Sequence, residues 1–498
     1  MLIVVSDFHL SEGWRPAGRK LSPAEDFFFD DEFSRFLTYL KTAEPGRIHL
    51  IINGDLFDFL QVGVDRTDLE SNEHLRGLSE KDRRYIDRYG AKTDEPSSIF
   101  KLDKIHQGHP VFFQALSGFL AQGNRLTVIT GNHDIDLYWP GVQARLKDMV
   151  SVPEPALARD GGIAAVDIEF QPWIYYDRDH SVYIEHGNQY ESLNSFRYPL
   201  RPVLPKNEAE LNLPFGSLFV RYLLTQVEKI NPFADNIKPN TKYVAWAIKT
   251  DPLGFRRLLK LVWRFAVTVG KIYRRSGNQS RYSVEAVQEF DGDTNRSVMR
   301  IAKRFGIAGD VNDNGHPLRQ IMRLHQRPFN DGKLRFMWQL FFAGLDIWLF
   351  LLSGLASVAF VVLVWKYGFR NVYSTGSLAA AAVGALAGQA YFQAGVNMDK
   401  GSVAAAKKIG EIMKASGNPA RYIVFGHTHQ PEIIPLDDEM IYFNTGTWDV
   451  IFEDQEELIR EKRQFAFLMF ERPGAEPRLM RWNDAVGAPE LLPLFDAR

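Results

Sequence analysis

Five short blocks of this chain carry residue types that could hold metal ions. They are Asp7-Phe8-His9, Gly54-Asp55-Leu56-Phe57-Asp58, Gly131-Asn132-His133-Asp134, His186, and Gly426-His427-Thr428-His429. Together they offer imidazoles, carboxylates and one neutral amide. Two hard or borderline divalent ions about 3.5–4 Å apart call for that mixture, with one carboxylate shared between them. The 498 residues include no cysteine, so disulfides and thiolate sites are excluded and any metal must be held by nitrogen and oxygen. Alone, a block such as "GDLFD" reads more simply as a turn, and a lone His186 as a satisfied strand-end histidine. Five blocks in this order point to a single centre.

Each block follows a short apolar run: "LIVVS", "IHLIIN", "LTVIT", "VYIE" and "YIVF". Such runs read as buried strands. Turns that leave one edge of an α/β sheet converge, so side chains far apart in sequence can meet there. Glycines before Asp55, Asn132 and His427 are expected to let the backbone turn sharply beside the ions. Between the first strands, "DDEFSRFLTYLKTA" and "HPVFFQALSGFLAQG" have the spacing of crossover helices. Further strands are expected in "GIAAVDIEFQPWIYYD", "MIYFNTG", "FAFLMFER" and "PRLMRWN", where alternation suggests antiparallel partners or a second sheet. The fold class is therefore α/β.

The order and types of these blocks resemble the calcineurin-like metallophosphoesterase superfamily, whose motifs are D-x-H, G-D-x-x-D, G-N-H-D/E, H and G-H-x-H. All five are intact, within about residues 1–190 and 420–450. The resemblance implies a four-layer αββα sandwich. It implies that Asp7, His9, Asp55 and His429 hold one ion, and that Asp55, Asn132, His186 and His427 hold the other, with Asp55 bridging. It also implies that His133 faces the substrate, oriented by Asp58, and that a hydroxide bridging the metals is the nucleophile. Manganese is the first expectation for the two divalent ions; zinc, iron and magnesium also suit such donors. Asp134 is expected behind the ligands, and Asn188, Tyr190 and Trp448 along the pocket. His49 falls inside a strand, and His74, His106, His109, His180, His316 and His325 are expected at the surface or as caps.

Residues 1–200 and 418–498 thus read as two parts of one catalytic domain, and residues 201–417 as a mainly helical insertion. In the insertion, residues 255–275 project Arg257, Lys260, Arg264, Lys271 and Arg275 onto one face, as a membrane-surface helix would. Residues 340–398 contain the uncharged "IWLFLLSGLASVAFVVLVW" and a second uncharged span rich in small residues. The pair is expected to form a transmembrane hairpin, a buried soluble hairpin being the alternative. Basic residues flank both ends, and "MLIVVSDFHL", with only a short apolar run, is not expected to act as an export signal. A cytoplasmic catalytic domain attached to the inner membrane is expected.

A net charge of −2 says nothing about polyanionic partners. Protein phosphatases of the superfamily continue G-D-x-x-D with Arg-Gly and carry G-N-H-E, from which "GDLFDFL" and "GNHD" depart. A helical insertion between the single histidine and G-H-x-H is similar to UDP-diacylglucosamine hydrolases. That family, however, typically has Arg where His133 stands, and a shorter insertion. The expected activity is hydrolysis of a phosphate mono- or diester of a membrane-associated or lipid-linked substrate. Two alternatives stay open: a nucleic-acid phosphodiesterase similar to the DNA-repair nucleases, and a membrane-anchored binding or scaffold protein. No protein partner is expected.

Overall fold

The computed structural model describes residues 1–15, 20–43, 46–151, 166–228, 283–309, 315–328, 398–455 and 458–493, with isolated positions between 237 and 270. The expected surface helix 255–275 and hairpin 340–398 lie outside the described residues, apart from scattered positions. Among the described residues no helix is long and apolar enough to cross a membrane.

The elements that frame the site run in chain order as β1 (Leu2–Val5), α1 (Asp30–Ala43), β2 (His49–Asn53), α2 (Glu95–Gly108), α3 (Pro110–Leu120), β3 (Arg125–Ile129), α4 (Pro140–Val150), β4 (Asp167–Gln171), β5 (Ile174–Asp177) and β6 (Val182–Glu185). After β6 come α5 (Val284–Arg304), α6 (Pro317–Met322), α7 (Met398–Ala415), β7 (Tyr422–Phe425), β8 (Glu432–Pro435), β9 (Ile441–Asn444), β10 (Ala466–Phe470), β11 (Arg478–Asn483) and β12 (Ala488–Leu491). Helix α1 shows why such segments fold where they do. Asp30, Asp31 and Glu32 open it and Lys41 lies in its last turn, so the charges complement the helix dipole. Phe33, Phe36, Leu37 and Leu40 recur on one face and are buried.

Two mixed sheets result. The first has the order β12-β11-β10-β1-β2-β3-β4, and the second β8-β9-β7-β6-β5. Strands β1 to β4 are mutually parallel, while β10 runs antiparallel to β1. In the second sheet β6, β7 and β9 are parallel and both edge strands antiparallel. Of the further strands, β9 lies in the second sheet, as one of the two alternatives expected, and runs parallel to β7 with β8 at the edge, whereas β4 joins the first sheet parallel to β3 after α4.

Period-two alternation sorts each strand's side chains to opposite faces. Val4, Ile51 and Leu468 of the first sheet meet Ile184, Val424 and Phe443 of the second in one apolar cluster. On the outer face of the first sheet, Ile3, Val5, Ile52 and Val128 pack against Phe33, Phe112 and Phe113 of α1 and α3. On the outer face of the second, Tyr183, Ile423 and Tyr442 pack against Val298 of α5, Ile321 of α6 and Ile409 of α7. The helices α5 to α7, which the sequence places in the insertion, are therefore the layer that covers the second sheet.

Candidate metal centre

The five blocks leave the C-terminal ends of β1, β2, β3, β6 and β7, and backbone hydrogen bonds clip the resulting loops together. Asp7 N–H donates to Gly54 O at 3.2 Å, His9 N–H to Asp55 O at 3.0 Å, and Gly426 N–H to His186 O at 3.0 Å. Three groups of donor atoms form, each within 4.8 Å: Asp7, His9 and His429; Asp55, His186 and His427; and His9, Asp58 and His133. The carboxylate of Asp55 lies between the first two. Its Oδ2 is 3.0 Å from His186 Nε2 and 3.9 Å from His9 Nε2. Asn132 Oδ1 stands 3.3 Å from the same His186 nitrogen.

The protonation pattern suits cation ligands. His186 Nδ1 donates to the Asn53 carbonyl at 2.9 Å, which turns Nε2 toward Asp55 and Asn132. Glu191 Oε2 accepts from His427 Nε2 at 2.8 Å, leaving Nδ1 as the donor atom. His9 Nε2 and His429 Nε2 face each other at 3.0 Å. Burial, reinforced by nearby His133, pushes His9 down to about 3, so its ring is neutral, as a ligand must be. Burial also opposes charge on His186, but Asp55 and Asp7 outweigh it and raise its pKa to about 10 in the metal-free chain. The field that draws a proton to this imidazole would draw a divalent cation equally. The donors, buried except for the part-exposed His427 and His429, could therefore hold divalent cations.

Backbone strain is concentrated at the same place. Of the seven non-glycine residues with positive φ among those described, five are Asp7 (56°), His9 (52°), Asp55 (51°), His427 (69°) and His429 (60°). Such conformations cost on the order of 1–3 kcal/mol each and persist where surrounding structure holds them for a function. Of the three glycines, only Gly54, with φ 82°, makes the expected sharp turn. Gly131 and Gly426 serve close approach instead. A Cβ at Gly131 would stand 2.2 Å from Asp55 Oδ1, and one at Gly426 would stand 2.6 Å from Asp7 Oδ2.

Beside the two ligand groups stands a dyad. His133 Nδ1 meets Asp58 Oδ2 at 2.7 Å, and Asp58 Oδ1 accepts the N–H groups of Leu60 and Gln61 at 2.8 and 3.1 Å. Asp58 is thereby spent on orienting His133, whose ring lies edge-on to His9 at 4.6 Å. Burial disfavours the imidazolium, yet Asp58 and Asp55 push the His133 pKa up to about 9. Asp134 sits behind the ligands, accepting from Leu56 N–H at 2.9 Å and Gly131 N–H at 2.6 Å, and burial with the charge of Asp55 raises it to about 7.

Other expected positions fall elsewhere. Trp448 does not line a pocket: its side chain is fully buried and stacked on Phe8, and its backbone N–H donates to Asp7 O at 3.1 Å. Tyr190 turns inward to stack on Phe425 and donates to Glu185 Oε1 at 2.5 Å. Asn188 borders a cavity of ≈ 20 Å³ beside His186, room for about one water. His109 holds a cap position, between α2 and α3, and is buried between Glu25 and Asp30 rather than at the surface. His316 does act as a cap, accepting from Leu318 N–H, and His49 pairs with Thr127 inside its strand. Sequence reasoning missed Glu191 and Thr447, whose hydroxyl donates to Asp7 O at 2.6 Å; neither has a spacing signature that would single it out.

No protein-family profile matches the chain, and no curated protein matches it.

Proposed function

We propose that the chain is a dinuclear-metal phosphoesterase of the calcineurin-like metallophosphoesterase type, hydrolysing a phosphate mono- or diester of a membrane-associated or lipid-linked substrate. The observation that carries this is the meeting of seven nitrogen and oxygen donors, from five separate strand ends, with Asp55 between two groups. The order helix, sheet, sheet, helix supports the four-layer αββα sandwich of that superfamily. Two divalent ions, manganese first, would supply Lewis acidity and an activated water.

The chain's own residues supply orientation and a proton. Asp7, His9 and His429 define one end of the site, and His186, Asn132 and His427 the other. His133, fixed through Nδ1 by Asp58, presents Nε2 to the substrate and stabilises phosphoryl charge or protonates the leaving oxygen. An alkoxide leaving group needs such an acid, whereas a nucleotide departs without one. Membrane attachment on the cytoplasmic side is part of the proposal, and its support is the uncharged run at residues 347–365.

The test is elemental analysis of the purified full chain, with hydrolysis assays on bis(p-nitrophenyl) phosphate, lipid-phosphate vesicles and duplex DNA in manganese. Two ions per chain and faster turnover of lipid phosphate than of the soluble ester are expected. Cleavage of DNA ends in preference to lipid phosphate would replace this reading with a nuclease. Bound metal without any hydrolysis would leave a scaffold.

A further inference from the structure

The insertion meets the loops of the metal centre at the short helix Phe215–Phe219. Apolar burial fixes the approach: Leu211 and Leu213, just before this helix, pack with Leu60, Phe196 and Phe290. Gly216 N–H then donates to Leu193 O at 2.8 Å, and the hydroxyl of buried Ser217 reaches the carbonyl of Asn132 at 3.5 Å. Gly216 is the tightest point of this contact. A Cβ there would stand 1.9 Å from Asn194 Oδ1 and 3.2 Å from Leu193 O, so glycine alone admits the Asn194 amide where it lies.

What the Asn194 amide holds gives that contact its consequence. Its Nδ2 donates to Glu191 Oε2 at 2.9 Å, and the same oxygen accepts from His427 Nε2 at 2.8 Å. The turn beneath is closed by its own backbone. Asn194 and Ser195 N–H both donate to Glu191 O, at 3.1 and 2.9 Å, and Asn188 Nδ2 donates to Asn194 O at 2.9 Å. With the backbone of Glu191 so held, Asn194 and His427 aim its carboxylate. A carboxylate that receives the outer N–H of an imidazole fixes the ring's tautomer and orientation and raises the basicity of the nitrogen that faces an ion. Gly216, Asn194 and Glu191 thus stand in series behind His427, while Ser217 stands behind Asn132. Both of those donors belong to the His186 end of the site.

We infer that Asn194, Gly216 and Ser217 are positioning residues of the metal centre, so that docking of the insertion sets the affinity of the ion held at His186, Asn132 and His427. The ion at Asp7, His9 and His429 does not depend on them. The inference rests on the two-ion reading of the centre and adds regulation to it: displacing the helix Phe215–Phe219 loosens one ion and spares the other.

The test is titration of the metal-free full chain with manganese, by calorimetry and by electron paramagnetic resonance. Wild type should take two ions and give the spectrum of a coupled pair. Asn194→Ala should weaken one ion about tenfold, the lower end of what groups behind a ligand contribute, and leave the other unchanged. Gly216→Ala removes no polar atom but drives the Asn194 amide off Glu191, and it should reproduce that selective loss. At manganese levels that fill wild type, both variants should show the spectrum of an isolated ion. The double variant should bind no more weakly than Asn194→Ala, because both changes act through one contact. Matching melting temperatures of the metal-free chains check that the variants fold. Unchanged affinities in both variants would overturn the proposal. So would equal weakening of both ions, the mark of a general loss of structure, or additive losses in the double variant. A wild-type chain that takes no manganese would remove the two-ion reading itself, and hydrolysis of bis(p-nitrophenyl) phosphate reads the phosphoesterase chemistry separately.

Discussion

His109 is the clasp behind the loop that follows β1 and carries Asp7 and His9, and replacing it should change how stability depends on pH. Its Nε2 lies 3.2 Å from Glu25 Oε2 and its Nδ1 3.1 Å from Asp30 Oδ2. Glu25 in turn accepts the N–H groups of Ser11 at 3.1 Å, Gly13 at 2.6 Å and Phe27 at 3.0 Å, so the same carboxylate holds the backbone two residues beyond His9. Burial opposes charge on His109, but the two carboxylates raise its pKa from 6.5 to about 10. A raised histidine pKa contributes stability that is complete below the unfolded value, near 6.5, and is lost as pH rises toward 10. Each pH unit in that window removes about 1.4 kcal/mol, so wild type should lose about 3 kcal/mol between pH 7 and 9 through this group. His109→Gln keeps hydrogen bonds but cannot titrate, and its stability should stay flatter over the same range. Urea unfolding of both proteins at pH 7, 8 and 9 gives the comparison. Parallel pH profiles would show that the triad is not charged as described.

Three further outcomes are expected. Asp55→Asn should reduce bound manganese from two ions per chain to at most one by elemental analysis, since Asp55 Oδ2 stands between both donor groups; two retained ions would remove its bridging role. Glu191→Gln, which takes the charge from the partner of His427, should weaken manganese binding about 10- to 100-fold by titration calorimetry, and an unchanged affinity would exclude Glu191 from ligand support. His133→Ala should lower kcat on a phosphoester with a poor leaving group by about 10²–10⁴ while metal content stays the same. Loss of metal in that variant would make His133 a ligand instead.

Much of the frame was legible because its signals are local. The apolar runs before Asp7, Gly54, Gly131, His186 and Gly426 are strands in the structure, and "DDEFSRFLTYLKTA" is a helix from end to end. Burial on both faces makes such strands uniformly apolar, and a helix that covers a sheet must repeat its apolar residues every three or four positions. The blocks themselves stood out because the side chains able to hold a metal are of few types, and the structure brings those side chains together. Direction was less readable: β4 and β9 proved parallel to their neighbours, since alternation reports which face is buried and not which way a strand runs.

What the sequence by itself determined is the inventory: seven nitrogen and oxygen donors at strand ends, the His133–Asp58 pair, an α/β frame, and the exclusion of thiolate chemistry. Only the tertiary structure decided what stands behind those donors. His109 is a lone polar residue in sequence, yet folding buries it between Glu25 and Asp30. Glu191 reaches His427, and Trp448 packs into the core and pins Asp7 from behind, although nothing in their spacing foretells it. Gly216 and Ser217 likewise reach Asn194 and Asn132. The physical reason is that ligand identity is written in side-chain chemistry, which is local. The groups that orient a ligand and shape its surroundings are chosen by three-dimensional proximity, and that exists only once distant segments have packed.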